Sequence, residues 1–137
     1  MTNTPFPVTI FHNPKCGTSR NVVAMVEAAG YAPTVVEYLK AGWTREQLLE
    51  LSARTGLSVR DLMREKGTPA EELGLLKPEA TDEAILAAMV EHPILVNRPI
   101  VVTPKGAALA RPSEKVFALL ENLPESFTKE DGEVVTR

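Results

Sequence analysis

Residues 8 to 11, Val-Thr-Ile-Phe, are a short β-type run bounded by Pro7 on one side and by the turn-forming His12-Asn13-Pro14 on the other. Immediately afterwards Val22, Val23, Met25, Val26 and Ala29 recur at helical spacing, and Gly30 stands where a helix C-cap is expected. Thr34 to Leu39 then reads as a second strand, reached through a connection that includes Pro33. Strand, helix and strand in quick succession leave few options. The two strands pair in parallel through a right-handed crossover, and a sheet with helices packed on it follows.

The pattern turns helical between Thr44 and Glu91, with three start signals. Thr44 has Gln47 three residues on, Ser58 has Asp61, and Thr81 precedes Asp82-Glu83 and an apolar stripe of Ile85, Ala88 and Met89. Two β-runs follow, Ile94-Leu95-Val96 and Ile100-Val101-Val102, separated by the tight break Asn97-Arg98-Pro99. Pro104-Lys105-Gly106 marks another turn, 107 to 111 reads as a short edge strand, and Pro112-Ser113 opens a helix with Val116, Leu119, Leu120 and Leu123 on one face. From Pro124 to Arg137 the chain is polar and is expected to be partly loose. The order β-α-β, helical block, β-β(-β)-α predicts an α/β fold, a thioredoxin-like mixed sheet flanked by helices. At 137 residues the chain is the size of one domain, 1–137, with the helical insertion spanning about 42–92.

The charge balance narrows the partners. With 15 basic and 18 acidic side chains the net charge is −3, which gives no general field for nucleic acid or for an anionic membrane, so neither is expected. Met1 to Pro7 has neither a basic start nor an apolar run, and no stretch approaches the roughly 18 apolar residues that span a bilayer. The cytoplasm is the expected location. Cys16 is the only cysteine, so an intramolecular disulfide and a structural cysteine–zinc site are both excluded. Redox chemistry at Cys16 therefore needs a thiol from another molecule.

A lone cysteine is commonly a small buried hydrophobe, but the setting of Cys16 points to chemistry. It falls at a strand-to-helix turn, followed by Gly17, Thr18 and Ser19, which supply backbone and hydroxyl donors beside the sulfur. The positive end of a helix favours a thiolate and would bind an anion through the same amides. An ordinary thiol, with a pKa of about 8.5, is only roughly 3% ionised at pH 7, so a lowered Cys16 pKa is a requirement of any such role. His12 and Lys15 are the nearest basic groups, and His12 either tunes the thiolate or merely closes the strand. Arg20 faces solvent or braces the loop.

Three arginines have settings unlike those of an average surface residue. Arg98 is pinned before Pro99 between two β-runs, Arg111 precedes Pro112, and Arg64 ends the short helix begun at Ser58. Arg60 shares a helical face with Arg64 at i, i+4, and spacing alone does not decide which of them points inward.

The run His12-Asn13-Pro14-Lys15-Cys16-Gly17-Thr18-Ser19-Arg20-Asn21 resembles the signature of the glutaredoxin-coupled arsenate reductases. The likeness continues through Ser58-Val59-Arg60, Leu62-Met63-Arg64, His92-Pro93-Ile94-Leu95 and the run from Asn97 to Pro104. It ends with Arg111-Pro112-Ser113 and Phe127-Thr128-Lys129-Glu130-Asp131-Gly132-Glu133. It implies a thioredoxin-like fold with a helical insert, an attacking thiolate at Cys16, and an oxyanion held by Arg64, Arg98 and Arg111. It also gives His12 the task of lowering the thiol pKa, sets Ser19 beside it, and implies a cis Arg98-Pro99 bond. Leaving Arg60 out of the site rests on the resemblance alone.

By the same resemblance, Cys16 forms a covalent thiol-arsenate intermediate, glutathione is the reducing co-substrate and glutaredoxin resolves the resulting mixed disulfide. No tightly bound cofactor and no metal are expected. Phosphate, close to arsenate in charge and shape, should compete for binding but cannot be reduced by a thiol. A phosphatase-like reductase built on Cys-x5-Arg does not fit, because Val22 stands six residues after Cys16. A dithiol disulfide reductase would need a cysteine at Ser19. The alternative of another class is a redox-sensing transcription regulator of the same fold that binds RNA polymerase.

Overall fold

The computed structural model describes residues 6–124 and 126–136. Two compact units divide the chain. One holds the residues up to Glu37 and those from Arg98 onward, and the other is Tyr38–Asn97.

In the first unit the strand-helix-strand reading holds. Strand β1 (Thr9–His12) leads into helix α1 (Gly17–Ala28) and then to β2 (Thr34–Glu37), parallel to β1. Gly30 takes the left-handed conformation, φ 99°, that a side chain would disfavour. It lets Gly30 N–H bond Glu27 O and Tyr31 N–H bond Val26 O, which closes the helix end. Strands β3 (Ile100–Thr103) and β4 (Gly106–Leu109) complete a four-stranded mixed sheet of order β2-β1-β3-β4, with β3 antiparallel to both neighbours. The expected edge strand is β4. This is the thioredoxin-like mixed sheet flanked by helices that the sequence predicts. Val8 just before β1 and Ile10 within it, Val22, Met25 and Val26 from α1, Val101 from β3, Val116 and Leu119 from a 3-10 helix (Ser113–Leu119), and Leu120 at the end of that helix share one buried cluster.

The second strand is shorter than the sequence suggests. Its register runs Thr9↔Thr34 to His12↔Glu37, so once β1 ends at His12 there is no partner for residue 38. Tyr38 instead opens a one-turn helix α2 (Tyr38–Ala41), and its fully buried ring packs beside Trp43 and donates to Val96 O at 3.2 Å.

In the second unit all three start signals act as caps. Thr44 and Gln47 form a reciprocal capping box on α3 (Arg45–Thr55), which ends at left-handed Gly56. Ser58 caps α4 (Val59–Leu62) through Asp61 N–H, and Thr81 caps α5 (Asp82–Glu91) through Ala84 N–H. The β-run expected at Ile94 to Val96 is a correction. Pro93–Leu95 is a 3-10 turn, because Pro93 presets the first helical position and lacks an N–H for a ladder. Only Val96 pairs in β fashion, with Met63.

The polar tail is the second correction. Residues Ser126–Thr128 (β5) and Val134–Thr136 (β6) form an antiparallel hairpin in the first unit, and Phe127 and Val135 pack against the buried cluster. Glu125 and Arg137 of that tail, and Met1 to Pro5 of the start, lie outside the described residues. Among the described residues no helix is long and apolar enough to cross a membrane.

Candidate active site

Sheet register brings the reactive residues of the first unit to one end of the sheet. Phe11 pairs with Ile100 and Ile100 with Leu109, so the end of β1, the start of β3 and the end of β4 coincide. Cys16 follows the first, Arg98 precedes the second, and Arg111 follows the third. Ala110 N–H bonds Pro99 O at 2.9 Å, which extends that ladder to the residues beside both arginines. The Arg98-Pro99 bond is cis, as the resemblance implies, and so is Arg111-Pro112.

Cys16 is the N-cap of α1, and 9% of its surface is exposed. Its N–H bonds Asn13 O at 3.0 Å, which fixes the turn, and its carbonyl accepts from Arg20 N–H, the first bond of the helix. The amides of Gly17 and Thr18 belong to the first turn, where a helix has no acceptors of its own for its N–H groups. Arg111 Nη1 donates to Cys16 Sγ at 3.6 Å and to Arg98 O at 2.9 Å.

Burial is the largest single influence on this thiol and pushes its pKa up. The Ser19 amide N–H, hydrogen bonds from Arg98 and Arg111, and the charge of Arg98 together outweigh it, and Cys16 is held below an ordinary thiol. The sulfur makes no strict capping hydrogen bond, so the Ser19 amide acts on it as a nearby dipole. The sign follows directly. With its pKa lowered, Cys16 stays ionised to lower pH than a free thiol, and only acidification through the lowered value restores the thiol. A titration of thiolate absorbance is expected to show a midpoint below the free-thiol value of about 8.5, and a midpoint above it would contradict this geometry.

His12 and Ser19 are both buried, with His12 Nδ1 2.6 Å from Ser19 Oγ. Ser19 Oγ also accepts from Asn13 N–H at 3.1 Å. Burial is the main cause that pushes the His12 pKa down, against the pull of Glu37, so the ring is neutral at pH 7. His12 thus bonds Ser19, while the groups that lower the thiol pKa are the Ser19 amide and the two arginines. Arg20, left open between solvent and loop, does brace the loop: it donates to Pro14 O at 2.8 Å.

Arg64 belongs to the second unit, where Nη1 donates to Asn97 Oδ1 at 3.4 Å and Nε to Lys66 O at 3.1 Å. Its backbone N–H bonds Leu95 O at 2.7 Å. The expectation that Arg64 ends the helix begun at Ser58 is corrected: α4 stops at Leu62 and Met63 is extended, so Arg64 lies beyond it, while Arg60, on the helix, is spent on structure. Its guanidinium donates to the carbonyls of Leu75, Lys77 and Ala80 at 3.2, 3.4 and 2.5 Å. Sequence spacing could not show this, because those carbonyls lie 15 to 20 residues further on. Among the described residues no group of three or more His, Cys, Asp and Glu is placed to hold a metal ion.

Known proteins are similar to this chain in sequence and in fold. A sequence profile described as the ArsC family matches residues 11–119. The chain is 57% identical over 129 residues to the arsenate reductase ArsI2 of a Synechocystis species, covering 93% of this chain and 92% of that protein. It is 50% identical over 129 residues to the arsenate reductase of Escherichia coli K12, covering 93% and 92%. The solved arsenate reductase from Vibrio cholerae superposes with a TM-score of 0.81 at 42% identity, covering 85% of this chain and all of the other. A match across most of the chain, from the strand before Cys16 to the helix after Arg111, leaves one conclusion: the chain belongs to the ArsC family.

Proposed function

We propose that this protein reduces arsenate to arsenite, with Cys16 as the nucleophile. The observation that supports it most is the Cys16 sulfur at a helix N-terminus with the Arg111 guanidinium 3.6 Å away, a setting that lowers the thiol pKa. The names of the relatives, all arsenate reductases, agree with it. In this reading arsenate lies against the Gly17 and Thr18 amides, and Arg98 and Arg111 pair with its oxygens as planar donors. Arg64 is proposed for the same anion on the sequence resemblance alone. His12 acts through Ser19, holding the loop that carries the sulfur.

The thiolate displaces one oxygen of arsenate, which leaves as water after protonation, and a sulfur–arsenic(V) bond forms. A glutathione thiolate then attacks the Cys16 sulfur. A disulfide forms, the sulfur–arsenic bond breaks with its electron pair staying on arsenic, and arsenic(III) departs as arsenite. Arsenic gains two electrons and the two sulfurs together lose two. Glutaredoxin is proposed to reduce the Cys16–glutathione disulfide, since the chain has no second cysteine to do so.

Arsenite formation is to be measured with arsenate plus glutathione, glutaredoxin, both or neither. Multiple turnover is expected with both, and phosphate should inhibit competitively without being consumed. No arsenite under any thiol supply would reject the enzyme and favour the redox-sensing regulator. Turnover with another dithiol and none with glutaredoxin would reject only the proposed reductant.

A further inference from the structure

The C-terminal stretch Phe127 to Glu133 shares the family resemblance yet has no part in the chemistry above. Its two central charges tie it to the segments around the site. Lys129 has only 8% of its side chain exposed, and its ammonium is ion-paired with Glu114 at 2.7 Å and Glu133 at 2.9 Å. Glu130, the next residue, faces α1. Its carboxylate accepts from Arg20 Nε at 2.9 Å and Nη2 at 3.0 Å, and its N–H donates to Asn21 Oδ1 at 3.0 Å. Arg20 spends its remaining nitrogen on Pro14 O, two residues before Cys16. A side-chain carbon added at Gly17 would lie 3.7 Å from the Glu130 carboxylate, so the hairpin tip rests on the first turn of the helix.

Consecutive residues therefore grip two segments. Glu114 is three residues past Arg111, and Arg20 is four residues past Cys16. An exposed pair such as Arg20–Glu130 contributes little by itself. The buried lysine changes the weighing: an ammonium out of water is tolerated only when paired, Glu133 supplies a partner within the hairpin, and Glu114 is the partner that ties the hairpin to the segment after Arg111.

We infer that the β5–β6 hairpin is a strap that fixes the separation between Arg111 and Cys16, with Lys129 and Glu130 as positioning residues. The inference rests on the proposed use of Cys16 as a thiolate steadied by Arg111.

The test is a double-mutant cycle read by two independent measurements, the thiolate titration and arsenite formation. In Lys129→Met the midpoint should rise enough that the thiolate fraction at neutral pH falls about threefold, and kcat/KM should fall about tenfold. In an Arg111→Ala background the same substitution should move neither. A midpoint that stays put in folded Lys129→Met overturns the strap, and so does an equal loss in both backgrounds. If Lys129→Met does not fold, Glu114→Gln weakens the same tether while keeping an acceptor, and the same outcomes apply. Glu130→Ala should lower kcat/KM in the native background and not in Arg20→Ala; equal losses in both would remove Glu130 from the strap. A shifted midpoint in a protein that makes no arsenite would leave the strap standing and reject the arsenate reading.

Discussion

Cys16→Ser is expected to lower arsenite formation by about a thousandfold or more while leaving the fold intact. Two separate losses combine. A serine hydroxyl stays protonated at neutral pH even beside Arg98 and Arg111, so the attacking anion disappears. Oxygen also cannot enter the disulfide that carries two electrons to arsenic, so a slow attack would still not complete a cycle. No other cysteine exists to take over. The exchange is nearly isosteric, and the serine keeps hydrogen-bonding neighbours in the Ser19 amide and the Arg111 guanidinium. Unfolding free energy from a urea titration should therefore stay within about 1 kcal/mol of the native value. Residual turnover above about 1% in a preparation free of native enzyme would remove Cys16 from the mechanism.

The second large effect separates three arginines that look alike in sequence. Arg98→Ala and Arg111→Ala should each lower kcat/KM by about 100- to 1000-fold, because each removes a proposed donor to the anion and a guanidinium that lowers the thiol pKa. Both should also raise the thiolate midpoint, which ties the loss of rate to the sulfur. Arg60→Ala should behave in the opposite way. Its kcat/KM should stay within about threefold of native, while stability falls by about 1–3 kcal/mol as three carbonyls lose a charged donor. Steady-state kinetics and urea unfolding on the same three variants decide the matter. Similar kinetics for all three would mean that the anion pocket lies elsewhere.

What could be read from the chain in advance was set by local rules. The β1–turn–α1 segment announces itself because Pro7, Pro14 and the period of Val22, Met25 and Val26 each constrain their own neighbourhood. The caps at Thr44, Ser58 and Thr81 are likewise decided within a few residues. Features decided by distant partners stayed hidden. The end of β2 depends on where β1 stops. The short 3-10 turn at Pro93–Leu95 looks apolar enough for a strand, and only the missing N–H of Pro93 and a single bridge to Met63 separate the two. The C-terminal hairpin looked loose because its charges suggested solvent, whereas Lys129 is buried by pairing with a glutamate 15 positions earlier. At the site, residue order and the resemblance pointed to Cys16, Arg64, Arg98 and Arg111, of which Cys16, Arg98 and Arg111 meet in the first unit and Arg64 belongs to the second. The division of labour between His12 and the arginines is a matter of distances no spacing encodes.

Arg111 Nη1 serves the sulfur and the Arg98 carbonyl at once. In the proposed chemistry the opposite flank of the guanidinium, Nε and Nη2, would be the two-pronged face that meets the oxyanion. One nitrogen thus anchors the side chain and tunes the nucleophile, and in the proposed chemistry the other two serve as the docking fork of the same rigid plane. A lysine would carry the same charge on a single tetrahedral nitrogen, with no flat fork to offer the anion. At this position the proposed chemistry depends on shape more than on sign.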